Sequence, residues 1–145
     1  MGDYSHLRAL EVSTQTTSEF PLDQITVNGV SPVLIVVPAT DANKPYFNTL
    51  LKRAGKAARV IKRGAINSGM IDDNRDQDKE LFSKHVIIGW RDQVGADGEE
   101  IPFSKQECAD FLSCLPNWLF DDLRTYCSDP ANFTEGIDIE VTAKN

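Results

Sequence analysis

Ser104 and Glu107 stand three residues apart in front of an apolar stripe, and Pro116 stands behind it. That spacing is a capping box, in which a Ser hydroxyl and a Glu carboxylate each take up a free backbone N–H at a helix start. Cys108, Phe111, Leu112 and Leu115 follow at i, i+3, i+4 and i+7, one face of a helix. Pro116 ends it, because proline lacks an N–H and disfavours helical geometry in the residue before it. The pattern predicts a second short helix over 117–127, with Leu119, Phe120, Leu123, Tyr126 and Cys127 as its apolar side. Asp129-Pro130 then turns the chain, and Phe133 returns as an apolar plug. The stretch from His85 to Phe133 holds both tryptophans and all three cysteines, and it reads as a compact helical clamp.

At 145 residues the chain suits one domain with a modest core. Its longest apolar run, Val33 to Val37, is far too short to span a bilayer. The N-terminus has neither the basic nor the apolar region of a secretory signal. Met1-Gly2 invites a myristoylation reading, which His6 at the sixth position rejects. An odd number of cysteines without CxxC spacing points to reduced core thiols in a cytoplasmic protein. The net charge of −7 hides an asymmetry: residues 1–71 hold eight Lys/Arg against five Asp/Glu, and residues 72–145 hold seven against seventeen. Such a split suits charge-complementary self-association or a partner with basic patches, and equally a solvated acidic half.

The expected fold is α+β, mainly helical, with an N-terminal β-hairpin packed on three to four helices. Residues 1–18 are polar and read as a mobile segment in which Leu7 and Leu10 could dock locally, 19–134 as one globular domain, and 135–145 as a tail or edge strand. Leu22–Val27 and Val33–Val37 flank Asn28-Gly29, whose residue types accept the positive φ angles of a type I′ turn. A helix is expected from Pro45, with Tyr46, Phe47, Leu50, Leu51, Ala54, Ala58, Val60 and Ile61 at near-helical spacing and Gly55 weakening it. Gly64 to Asn74 reads as a loop. Phe82, Val86 and Trp90 at i, i+4 and i+8 favour a helix over 76–91, with a short strand at His85–Ile88 as the alternative. Ile137, Ile139 and Val141 alternate with acids in the tail.

The search for chemistry is mostly negative. GxGxxG, the Walker loop and GxSxG are absent. His6 and His85 lie far apart, and His85 reads as a partly buried helix residue. The cysteines at 108, 114 and 127 lack a neighbouring His for zinc. Asp72, Asp73, Asp76, Asp78 and Glu80 lack the Gly and the bidentate Glu of a calcium loop. No cofactor, metal or catalytic group is expected. Lys52, Arg53, Lys56, Arg59, Lys62 and Arg63 form a basic face that could meet phosphates, but the acidic whole favours a solvated face. Trp90 and Trp118 read as helix-end core anchors, which become hot spots for a partner helix where exposed.

Ile88-Gly89-Trp90, Asp97-Gly98, Pro102-Phe103-Ser104, Leu112, Pro116 with Trp118-Leu119, and Asp129 with Asn132-Phe133 together resemble the tail assembly chaperones of long-tailed bacteriophages. The hairpin, the string VVPATDANKPYF and the basic helix up to Arg63 are also similar, so the likeness covers about residues 20–133. The chain departs from the pattern at Asn117, inserted between Pro116 and Trp118, and at Glu107-Cys108, where the family has Asn-Ala. The resemblance implies a non-enzymatic protein of the host cytoplasm. It would bind the long hydrophobic helices of the tape measure protein and help recruit tail tube protein around it. On that reading Trp90, Phe103, Trp118, Phe120 and Phe133 line or support the partner-binding surface. A structural virion protein, such as a tail or head–tail connector component, and a small nucleic-acid-binding or host-defence inhibitor are the alternatives.

Overall fold

The computed structural model describes residues 2–62 and 68–134, including their side chains except those of 57–62 and 68–73. Strands β1 (Ser18–Pro21), β2 (Val33–Val36) and β3 (Ile87–Arg91) form an antiparallel sheet in the order β1-β2-β3. Helices α1 (Lys44–Lys62), α2 (Ser68–His85), α3 (Lys105–Cys114) and α4 (Asn117–Cys127) complete the domain, with 3-10 turns at Ser5–Leu10 and Pro130–Phe133. The fold is α+β and mainly helical.

Period-two alternation explains β2, where Leu34 and Val36 are fully buried and Val33 and Ile35 face outward. From the helices, Phe82, Cys108, Leu112, Leu119, Phe120, Leu123 and Cys127 close over the inner face of the sheet. Phe82 meets Tyr46 edge-on at 5.8 Å and Phe120 at 5.4 Å, so α1, α2 and α4 converge on one aromatic stack. Ser104 accepts the Glu107 N–H at 3.0 Å, which is the first half of the expected capping box. Lys79 donates to the Leu115 carbonyl at 3.1 Å and so satisfies the C-terminal end of α3. Both rims of the sheet carry side-chain contacts. The Tyr126 hydroxyl donates to the Glu19 carbonyl at 3.1 Å beside Pro21, and the Lys105 ammonium reaches the Ile87 carbonyl at 3.0 Å.

Four expectations need correction. The Asn28-Gly29 turn forms, with φ of 53° and 82°, and Val27 and Val30 exchange both backbone hydrogen bonds. The paired strand, however, is Ser18–Pro21 and not Leu22–Val27. Asp23-Gln24 interrupts that run, and Leu22 is drawn wholly into the core. The helix expected over 76–91 stops at His85, because β-branched Val86, Ile87 and Ile88 suit a pleated surface, and β3 takes over. At its other end α2 already begins at Ser68, so 68–74 is helical where a loop was expected. In the N-terminal segment Leu7 and Leu10 stand exposed and do not dock. The expected loop at 64–67 and the alternating tail at 135–145 lie outside the described residues.

Candidate partner-binding surface

Pro116, with φ −56° and ψ 145°, sets the entry into α4 and leaves Asn117 and Trp118 in the first turn. Leu119, Phe120, Leu123 and Cys127 all point into the core. Trp118 precedes Leu119 by one residue, a rotation of about 100° on a helix, and its side chain faces solvent at 56% exposure. Asp122, one turn further along the same face, is also exposed.

The other four aromatic residues expected on this surface are placed elsewhere. Trp90 is on β3 opposite Leu34, on the inner face of the sheet. Its indole N–H donates to the Ile101 carbonyl at 2.8 Å, and its ring packs edge-on against Phe103 at 5.1 Å and Phe111 at 5.8 Å. This cluster pins the 92–104 loop to α3. Phe120 is fully buried, with the Lys79 ammonium 5.6 Å and the Arg124 guanidinium 5.2 Å from its ring centroid. Phe133 is buried against Tyr126 at 6.3 Å. Phe120 and Phe133 therefore build the core and leave no face for a partner.

Lys52 and Lys56 are exposed on α1, as expected of a basic face. Arg53 is not available in the same way, since its guanidinium lies 2.6 Å from Asp78 of α2. The side chains of Arg59 and Lys62, and all of Arg63, lie outside the described residues.

Arg53 belongs to a charged chain that crosses three helices. Asp78 accepts a hydrogen bond from Arg124 of α4 at 2.7 Å on its other oxygen, Arg124 pairs with Asp121, and Asp121 pairs with Arg75 of α2 at 3.1 Å. An open cleft of about 580 Å³ lies beside this chain, lined by Tyr46, Asp78, Asp121, Arg124, Ser128 and Asp129 among others. Burial pushes the Tyr46 phenol up, so it stays protonated. Burial also favours a neutral Asp121, but hydrogen bonds from Arg124 and Arg75 outweigh it and hold the carboxyl below the ordinary range. Asp121 thus accepts from two arginines, whereas Asp78 accepts from Arg124 and has the Arg53 guanidinium beside its other oxygen as an ion pair. This network escaped the sequence reading. Its signal was a basic α1 facing an acidic α2, which fixes the sign of the contact but not its members.

His85 ends α2, where burial and the charges of Lys105 and Lys84 hold its imidazole below its ordinary pKa. Burial pushes the Cys108 thiol up to about 12 and raises Cys127 as well, while Cys114 is exposed. Among the described residues no group of three or more His, Cys, Asp or Glu could hold a metal ion, and no helix is long and apolar enough to cross a membrane.

The model of one protein family, described as YdaY prophage protein, matches residues 41–145, from the loop before α1 onward and most of the chain. The chain belongs to the YdaY prophage protein family. No curated protein and no solved structure matches it. Membership makes this a phage-derived protein, and the exposed face of α4 belongs to the part the family model covers.

Proposed function

We propose that this phage protein works by binding another polypeptide and makes or breaks no bond. In this reading it is a tail assembly chaperone of the host cytoplasm. It holds a hydrophobic helix of the tape measure protein and helps tail tube protein gather around it. The observation that carries the reading is Trp118, an indole more than half exposed on a helix whose remaining large apolar side chains are turned inward. Tryptophan offers a large, rigid contact area and is enriched among residues that dominate interface energies. A helix with apolar residues at i, i+3, i+4 and i+7 would lay its stripe over such an anchor. The prophage family supports a phage origin, and the ordered motif resemblance is what points from there to particle assembly.

Co-expression with the tape measure protein of the same phage tests the reading. The tape measure protein should move from the pellet to the soluble fraction, and Trp118→Ala should reverse that gain. An unchanged pellet would count against the proposal. Finding the chain in purified virions would make it a structural component instead, since a chaperone leaves before the particle is complete.

A further inference from the structure

Among the described residues, only Leu51 (55%) and Trp118 (56%) of the large apolar side chains that stand exposed sit on α-helices, and they lie in fields of opposite sign. Leu51 is on α1 with half-buried Phe47 one turn before it and exposed Ala54 one turn after it. This strip runs between the core-facing line of Tyr46 and Leu50 and the exposed Lys52 and Lys56. No acid occurs between Asp41 and Asp72. Trp118 shares its face with Asp122, and no Lys or Arg occurs between Lys105 and Arg124. Asp121 is neutralised by its two arginines, so Asp122 is the carboxylate left facing solvent beside the indole.

We propose that these two surfaces are the halves of one contact between copies of this chain: the Leu51 strip of α1 in one copy receives Trp118 of α4 in another. The indole would lie over Phe47, Leu51 and Ala54, while Lys52 and Lys56 come within reach of Asp122. The apolar part supplies the affinity, and the charges choose the pairing. Two α1 faces repel one another, as do two α4 faces, so only unlike surfaces meet. The contact stands independently of the chaperone reading, but it uses the same indole. Self-association and capture of a partner helix therefore compete.

Sedimentation of the purified chain tests this. The wild type should gain mass with concentration, and high salt should weaken the gain because the charged rim is screened. Leu51→Glu and Trp118→Ala should each sediment as monomers, with association weakened roughly thirtyfold or more, the size of a hot-spot deletion. Both residues are exposed, so circular dichroism should show the fold intact. Mixed together, the two variants should form a one-to-one pair, because one retains α4 and the other retains α1. A wild type that is monomeric at high micromolar concentration overturns the proposal. So does a mixture that stays monomeric, which would place the contact elsewhere. Leu51→Glu should still solubilise the tape measure protein, so failure of the self-contact and failure of the chaperone reading are separable.

Discussion

Asp78 of α2 and Arg124 of α4 meet at 2.7 Å where α1, α2 and α4 converge, and Arg53 of α1 closes on the same carboxylate from the other side at 2.6 Å. One buried acid therefore holds two helices to a third. Asp78 is only 8% exposed.

Replacing that acid should loosen all three helices together. Asp78→Ala leaves the Arg53 and Arg124 guanidiniums without this carboxylate and should cost about 2–3 kcal/mol, less than a fully buried pair because both arginines are partly exposed. Urea unfolding reads the change directly. A variant within 0.5 kcal/mol of wild type, about the size of an ordinary surface substitution, would mean the contact is dispensable.

Asn43 is a second fastening of a different kind. Its side-chain amide donates to the Pro38 carbonyl at 3.0 Å and to the His85 carbonyl at 2.8 Å, and its oxygen accepts the Tyr46 N–H at 3.4 Å. It thereby caps α1 and ties it to the exit of β2 and the end of α2. Asn43→Ala should destabilise by about 2–4 kcal/mol, combining a lost cap with two orphaned carbonyls. Asn43→Asp should be no better, since a carboxylate cannot donate to those carbonyls. Thermal melts of the two variants side by side check this.

Acid should weaken the domain through Asp121. Its folded pKa lies below its unfolded value, so the unfolded chain holds the proton more tightly. The stabilisation is complete above about pH 4, the unfolded carboxylate range, and is lost as pH falls through the folded value. Asp121→Asn should be less stable at neutral pH and should show a shallower loss on acidification. Denaturation midpoints across the acid range decide it, and parallel wild-type and variant curves would refute the assignment.

Thiol labelling should separate the cysteines by place. Cys108 and Cys127 are buried and their thiols are pushed up, so neither supplies thiolate at neutral pH. Cys114 alone should react with a disulfide reagent in the native protein, and the other two only after unfolding. Rapid labelling of all three would show that α3 and α4 open readily.

What the sequence disclosed was whatever is decided locally. The Ser104 cap, the Pro116 break and the Asp129-Pro130 turn act on the residues beside them, and α3 and α4 lie within a residue of where those signals put them. The passage from α2 to β3 was misread because Phe82, Val86 and Trp90 are all drawn to the same core and mimic a helical period across a change of element. The strand of the hairpin was misplaced because sheet pairing is chosen by a distant partner, here β2, and polar Ser18 and Glu19 carry no β signal of their own. For the candidate surface, the sequence names the aromatic residues but not their exposure: Trp118 faces solvent, while Phe120 and Phe133 turn into the core, because burial depends on which helix face the rest of the fold covers. The Asp78–Arg124 network was invisible, since a separation of 46 residues leaves no periodic trace.

The clasps at the two rims of the sheet, Tyr126 on Glu19 and Lys105 on Ile87, set how this protein can grow. Lateral stacking of strands from neighbouring molecules would have to evict a phenol beside a proline on one flank and an ammonium ion on the other. The route to cross-β deposits is thereby obstructed even where the chain is crowded. Among the described residues that leaves the helices, where Leu51 and Trp118 stand exposed, as the surface open to a neighbour.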